Sequence, residues 1–383
     1  MRLALATPIR IDPALAGATL GLVALGVVMV GSASVALADR VAGEPLYYLL
    51  QHVAALGVGA LCLVIAMLIP TEIWHRASAG LLLLGIALLA LVLLPQFGDT
   101  VNGSRRWLDF GPLRVQASEP ARLCVLIYLA SYAVRQHANL TTSFKGFLRP
   151  MLVVAAVCLL LLAEPDFGAA VVVVATSLGV LFVAGARLRD FVLAATVAGG
   201  ALGALAFSSA YRVERLTAFL DPWGDPYASG FQLTNSLIAI GRGDWLGVGL
   251  GASVQKLFYL PEAHTDFVFA VVAEELGFAG STVVIALFAV LVYRALVLGQ
   301  KALAAGRQFQ GLLCFGIGVM LGLEAFINIG VNTGLLPTKG LTLPLISYGR
   351  SSAVVTLAAL GLLLRVAREL ELDEQRPKRG SRV

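Results

Sequence analysis

The sequence predicts an all-α polytopic membrane protein of about ten transmembrane helices, with a large extracytoplasmic loop between the seventh and eighth. Three observations carry this. Of 383 residues, 58% are hydrophobic and only 13% are charged, against roughly 25% charged in soluble domains; a soluble core would lack its polar shell. Mean hydropathy is +0.87, and apolar runs recur at about 20 residues, the length that crosses a bilayer's hydrocarbon core. The runs are continuous rather than alternating, which argues against a membrane barrel. Lipid offers the backbone no hydrogen-bonding partner, so each run must be helical.

The expected spans are roughly 14–36, 47–69, 77–95, 118–135, 150–163, 168–186, 190–208, 266–297, 310–330 and 351–368. Arg2 and Arg10 precede the first run, as in a signal peptide. The run from 13 to 35 exceeds the roughly 7–15 apolar residues of a signal segment, so it reads as an uncleaved first span. The fifth span is short and ends at Glu164-Pro165-Asp166-Phe167-Gly168. Two acids and a proline there require a turn, not a continuous helix. Residues 1–370 form one transmembrane domain in this reading, and 371–383 a disordered charged tail.

Orientation follows from the short loops. Arg76, Arg135, Lys145, Arg149, Arg187, Arg189, Lys301 and Arg307 fall on one side, with the tail's Arg376, Lys378, Arg379 and Arg382. The positive-inside rule places that side and both termini in the cytoplasm. Two loops on the outer side, 96–117 and 209–265, are too long to be simple connectors. The second holds an amphipathic pattern over 227–240. The net charge of +5 is modest and reports loop orientation rather than nucleic-acid binding. Cys62, Cys124, Cys158 and Cys314 lie within apolar runs without metal-ligand spacing, as small hydrophobes do.

Polar residues inside or beside the spans need a reason. Asp266 falls in the expected first turn of the eighth span, where a helix dipole favours an anion. It reads either as an ionised carboxylate able to accept a proton or as a helix cap beside His264. Asp266, Ala270, Ala273 and Gly277 share one helical face, whose small residues leave room for a neighbouring helix or a substrate tail. Glu274 and Glu275 lie deeper, where ionisable groups face a partner or an aqueous cavity. Glu324, Asn328 and Asn332 form a stripe on the ninth span. It suits interhelical hydrogen bonding or, with Glu274, the lining of a polar cleft. Ser118 reads as an N-cap, Pro120 suits the first turn, and Glu119 can pair with Arg122 at i, i+3.

Arg105, Arg106, Arg212, Arg215, Arg242, Lys256, Lys339 and Arg350 all fall on the outer side. Cations beside a membrane-embedded acid suit an anionic lipid headgroup such as a diphosphate. No P-loop, dinucleotide fingerprint, zinc motif or nucleophile elbow occurs, so nothing in the chain supports nucleotide-driven chemistry.

Several motifs in order carry a resemblance over essentially the whole chain: 102–107, 116–122, 164–168, Asp221-Pro222-Trp223, 241–251, 259–277 and 334–352. The sequence resembles the SEDS family (shape, elongation, division and sporulation), the bacterial peptidoglycan polymerases that include RodA and FtsW. Leu335-Leu336-Pro337-Thr338-Lys339-Gly340 and Pro261-Glu262-Ala263-His264 resemble the family's cell-division branch, FtsW. Two positions depart from its pattern. Ala117 stands where proline is usual, and Arg350 where a second glycine follows Ser347-Tyr348-Gly349.

The resemblance implies a glycosyltransferase that joins lipid II units into β-1,4 glycan strands at the outer face of the inner membrane, at the division septum. It implies that Asp266 is the essential acid. Lys339, Arg242, Lys256, Arg212 and Arg215 then become candidates for the diphosphate. Glu119, Arg122, His264, Glu274, Glu324, Asn328, Asn332 and Ser347 become candidates for cavity lining or support. Implied partners are undecaprenyl diphosphate-linked glycan, a class B penicillin-binding protein and other divisome membrane proteins, with no nucleic acid. No acidic cluster defines a metal site; a divalent cation (Mg or Mn) bridging the diphosphate and one carboxylate is the one cofactor left open. A lipid II flippase and a non-catalytic divisome scaffold stand as alternatives. The expected lack of inverted repeats and broken helices weighs against the flippase.

Overall fold

A computed structural model describes residues 12–101, 104–110, 113–207, 210–338 and 340–375. Helices stand at each expected span: α1 (Pro13–Ala42), α2 (Tyr47–Leu68), α3 (Thr71–Leu93), α4 (Ser118–Arg135), then, after the short α5 (His137–Thr142), α6 (Phe144–Ala163), α7 (Phe167–Val183) and α8 (Leu188–Phe207). Then come α9 (Ala210–Leu220), α10 (Phe231–Gly243), α11 (Val268–Ala304), α12 (Gln308–Asn332) and α13 (Arg350–Glu374). Among the described residues, seven of these (α1, α2, α3, α6, α8, α11 and α12) are long and apolar enough to cross a membrane. The chain is a mostly helical, multi-pass membrane fold. α4 and α12 are buried along most of their length and form the centre.

Several expectations are corrected. The fold is not purely α. Residues 98–116 form a small antiparallel sheet in the order β1 (Gly98–Val101), β2 (Ser104–Phe110), β3 (Leu113–Gln116), anchored by the fully buried Leu108. The fifth span begins at Phe144 rather than 150. Pro150 does not start that helix. It sits inside, and the Gly146 carbonyl it cannot satisfy accepts the Tyr132 hydroxyl at 2.8 Å. α10 starts at Phe231, not 227, because Asp225 closes a turn by accepting from the Ser229 amide and hydroxyl. Residues 371–374 belong to α13, continued by the Arg307–Asp373 ion pair; 376–383 lie outside the described residues.

Ser118 is not an N-cap. Ala117 holds that place without a side-chain bond, and the Ser118 hydroxyl donates to Asp166 at 3.1 Å. Ala117 adopts φ −61°, the value a proline would fix. Its amide adds a bond to the Arg106 carbonyl at 3.3 Å that proline lacks the hydrogen to make. Arg350 opens α13 at an ordinary helical position, after Gly349 at φ −154°. Glycine's freedom is therefore not needed at 350.

The largest departure is a broken helix. α11 is interrupted at Gly277 (φ 67°, ψ −163°), which leaves a short segment, 268–276, ahead of the long span 278–304. Non-helical backbone at such a point survives only where protein supplies its hydrogen bonds. The loop after α10 does so. The Glu274 and Glu275 carbonyls accept from the Val248 and Gly249 amides at 2.9 and 3.1 Å. The Phe278 and Ala279 amides donate to the Asp244 and Trp245 carbonyls at 2.8 and 3.1 Å. The fit leaves no room for a side chain: a Cβ on Gly277 would lie 2.3 Å from the Gly247 nitrogen. Gly277→Ala is expected to cost about 1–3 kcal/mol, the usual penalty of overpacking, and to lower the thermal midpoint of the detergent-purified protein. An unchanged midpoint would contradict this account of the break.

Candidate active site

Four segments meet at one end of the bundle: the sheet, the 164–166 turn between α6 and α7, the loop before α11 and the loop before α13. Hydrogen bonds from buried polar side chains stitch them together. Asn328 donates its amide to the carbonyls of Asp266 at 2.9 Å and Leu341 at 2.6 Å. Asn332 donates to the Asp266 carbonyl at 3.0 Å and accepts from the Ala270 amide at 3.0 Å. The Asn328 and Asn332 positions of the stripe on α12 thus fix the backbone that carries Asp266. Ser347 donates to the Thr265 carbonyl and accepts from the Leu343 amide at 2.8 Å. The Tyr348 amide donates to the His264 carbonyl at 2.9 Å. His264 itself is buried between the rings of Tyr48 and Tyr348, at 5.1 and 5.6 Å, and burial lowers its pKa against the pull of Glu262.

Asp266 lies two residues ahead of α11, partly buried, and does not cap the helix. A dipole-held anion is therefore the wrong picture. Burial, reinforced by the neighbouring Glu262 carboxylate and by Asp166, raises its pKa to about 7 against the pull of Arg106 and Arg215. A carboxyl poised near 7 is well matched to taking up a proton at neutral pH. The approach to it is close: a Cβ on Gly340 would stand 2.9 Å from Asp266 Oδ2. The small-residue face expected below Asp266 ends early, because Gly277 leaves the helix.

The candidates do not all gather here. The Arg215 guanidinium donates to the Thr338 carbonyl at 3.3 Å, on the rim of the site. Lys339 and the Arg212 side chain lie outside the described residues. Arg242 instead faces Glu274, at 3.4 Å, and Lys256 is paired with Glu275 at 2.7 Å. Glu274 does not join Glu324 in one cleft. It accepts from Ser253 and from the Val254 and Gln255 amides at 3.1 and 3.4 Å, closing the loop after α10. Glu324 pairs with Arg122 at 2.8 Å, and Arg122 also pairs with Glu119, so these three form a buried triad between α4 and α12.

Three residues near Asp266 carried only weak signals in the sequence. Arg106 stood out as one rim cation among eight. Its guanidinium donates to the Glu164 carbonyl at 3.2 Å and to that of Pro165, holding the sheet on the α6–α7 turn. Asp166, read only as part of a turn, caps α7 by accepting from the Ala169 amide at 3.1 Å. Glu164 is fully buried and neither carboxyl oxygen has a hydrogen-bond partner. Burial and Asp166 push its pKa up to about 8, so it holds a proton at neutral pH.

Among the described residues, no group of three or more His, Cys, Asp or Glu side chains is arranged to hold a metal ion. The arrangement is a carboxyl able to exchange a proton, set between the Glu262 and Asp166 carboxylates and the Arg106 and Arg215 guanidinium groups, at the edge of a membrane-embedded bundle. That set can deprotonate a hydroxyl beside an anionic group.

The family model for FtsW, RodA and SpoVE, described as "Cell cycle protein", matches residues 14–372. A protein of Nitrosococcus halophilus (strain Nc4) named "Probable peptidoglycan glycosyltransferase FtsW" is 55% identical over 367 residues, covering 96% of this chain and 94% of its own. A chain from a solved peptidoglycan synthase complex, described for its coordination of polymerization and crosslinking, is 31% identical with TM-score 0.78, over 95% of this chain and 99% of that one. The crystal structure of the Thermus thermophilus rod shape determining protein RodA matches with TM-score 0.69 at 32% identity, over 94% of this chain and 98% of that one. This chain belongs to the FtsW/RodA/SpoVE family of cell cycle proteins.

Proposed function

We infer that this chain is a peptidoglycan glycosyltransferase that polymerises lipid II into β-1,4 glycan strands. The observation that carries the reading is 55% identity over 96% of the chain to a protein of that name, joined to a poised carboxyl at the matching motif. Asp266 acts as the general base. It takes the proton of the acceptor's GlcNAc 4-hydroxyl, and the oxygen attacks the anomeric carbon of the MurNAc at the growing strand's lipid end. Undecaprenyl diphosphate leaves with its bonding electrons, and the α-linked donor becomes a β-1,4 link. One base and one displacement account for the inversion.

Arg106 and Arg215, whose charges reach Asp266, orient the donor's diphosphate, and Lys339 and Arg212 stay candidates on the sequence alone. Arg242 and Lys256 are less suited, since Glu274 and Glu275 already engage them. A divalent cation would serve by neutralising the diphosphate; the proton transfer rests on Asp266 alone.

The ten helices at the expected positions span the inner membrane with both termini in the cytoplasm, which puts the site on the outer face. Residues 1–370 act as one transmembrane domain with a cytoplasmic tail. The protein works with a class B penicillin-binding protein, a reading supported by its likeness to a chain of the solved complex that coordinates polymerization and crosslinking; the division septum is its place of work by its likeness to proteins named FtsW. The break at Gly277 does not favour transport, since its backbone groups are bonded to the 244–249 loop rather than left open for a substrate.

The test is strand formation from pure lipid II by the purified chain, with and without its transpeptidase partner, in the absence of other polymerases. The expected product is a ladder of strands cleaved by a β-1,4-muramidase. No strands under either condition would overturn the reading.

A further inference from the structure

The segment 268–276 is a short helix with two anchors on different elements. Its outer end, which presents Asp266, hangs on α12 through Asn328 and Asn332. Its inner end carries Glu274 and Glu275, both fully buried. Glu274 serves the loop after α10. Glu275 does something else: it accepts from Ser32 of α1 at 2.6 and 2.7 Å and from Lys256 Nζ at 2.7 Å. Lys256 also donates to Ser32 at 2.8 Å and to the Gly251 carbonyl at 2.8 Å. All three ammonium donors therefore have partners, and the side chain is only 8% exposed.

Such a cluster is a poor device for stability alone. Desolvating two charges costs several kcal/mol, and apolar residues of similar shape often do as well or better. What an ion pair with a fixed third partner supplies is direction. Because Gly277 ends the helical ladder, the long span reaches the short segment only through Gly277 itself and the backbone bonds of the 244–249 loop, and a side-chain anchor on α1 adds a direction that these do not supply. We propose that Lys256, Glu275 and Ser32 are positioning residues for Asp266, locking the short helix against α1 so that the carboxyl keeps its direction in the cleft. This rests on the assignment of Asp266 as the base.

The geometry gives the expected size. Nine helical residues extend about 13 Å. Letting the inner end drift by about 3 Å turns the segment about its α12 anchor by roughly 13°, within the 10–20° over which a catalytic group loses its productive orientation.

The experiment measures lipid II polymerisation by the full chain with its transpeptidase partner. Variants are Ser32→Ala, Lys256→Met, Glu275→Gln and the exchange Lys256→Glu with Glu275→Lys. The single variants are expected to lower kcat by about 10- to 100-fold with KM within roughly twofold, and the exchange to restore most of the loss. A second readout does not depend on catalysis. In a background with the four native cysteines replaced, Asp266→Cys is labelled with a membrane-impermeant maleimide. Adding Lys256→Met is expected to change the labelling rate several-fold, and the exchange to return it.

Unchanged kcat and unchanged labelling would overturn the proposal. So would a loss of folded protein in which the folded fraction keeps full activity. Should Asp266→Asn itself remain active, the base assignment falls, while the labelling still decides whether Lys256 and Glu275 orient the segment.

Discussion

Asp266→Asn is expected to reduce lipid II polymerisation by about 10²–10⁴-fold, the usual contribution of a positioned base. The change is nearly isosteric. It spares the Asp266 carbonyl, which takes the bonds from Asn328 and Asn332, so the short helix keeps its outer anchor. It also removes a charge that the site disfavours, since burial and Glu262 raise the carboxyl's pKa to about 7. Above that pH the native protein carries the cost of an ionised buried group, and the amide does not. The thermal midpoint at pH 8 should therefore hold or rise while activity is lost. A lowered midpoint would mark Asp266 as a structural residue. Retained activity would exclude it as the base.

The second large effect is on stability. Arg122 lies between Glu119 and Glu324 in the centre of the bundle, with all three side chains under a tenth exposed. Arg122→Met would leave two buried carboxylates without a cation. Breaking a buried pair this way costs about 3–5 kcal/mol, a large share of a typical stability of about 5–15 kcal/mol. The variant is expected to unfold at much lower temperature in detergent. Adding Glu119→Gln and Glu324→Gln should recover most of the loss, because no charge is then left unpaired. Equal midpoints for Arg122→Met and the native chain would show that the triad faces water or substrate instead of holding α4 to α12.

The helices were legible because hydrophobicity over about 20 residues is set by the bilayer, not by neighbours. Their ends were not, since Pro150 looked like a start until the Tyr132 hydroxyl took over its orphaned acceptor. The sheet at 98–116 escaped notice because two of its strands have only four residues, too few for an alternating pattern. The break at Gly277 left a trace in the sequence, a glycine directly after two acids and a leucine in an apolar run. That trace reads equally well as a polar cleft. Asp266 is legible as an acid beside a span, but the helix dipole that its spacing predicts does not hold it, because α11 starts only at Val268. A helix dipole can be inferred from spacing, whereas burial among Glu262, Asp166, Arg106 and Arg215 depends on four segments far apart in the chain. The same holds for Lys256. As a loop cation it resembled a headgroup ligand, and only the fold reveals Glu275 and Ser32 around it.

The central claim is that a carboxyl held near neutrality by its surroundings accepts the proton in glycosidic bond formation. The most direct test is kcat/KM for lipid II polymerisation as a function of pH, since that quantity reports the free enzyme's essential base. A base must be deprotonated to act. The account predicts activity falling about tenfold per pH unit on the acid side and levelling off above a midpoint near 7, the value burial gives Asp266. A profile flat from pH 5 to 8, or one with its acid midpoint in the ordinary carboxylate range near 4, would contradict it.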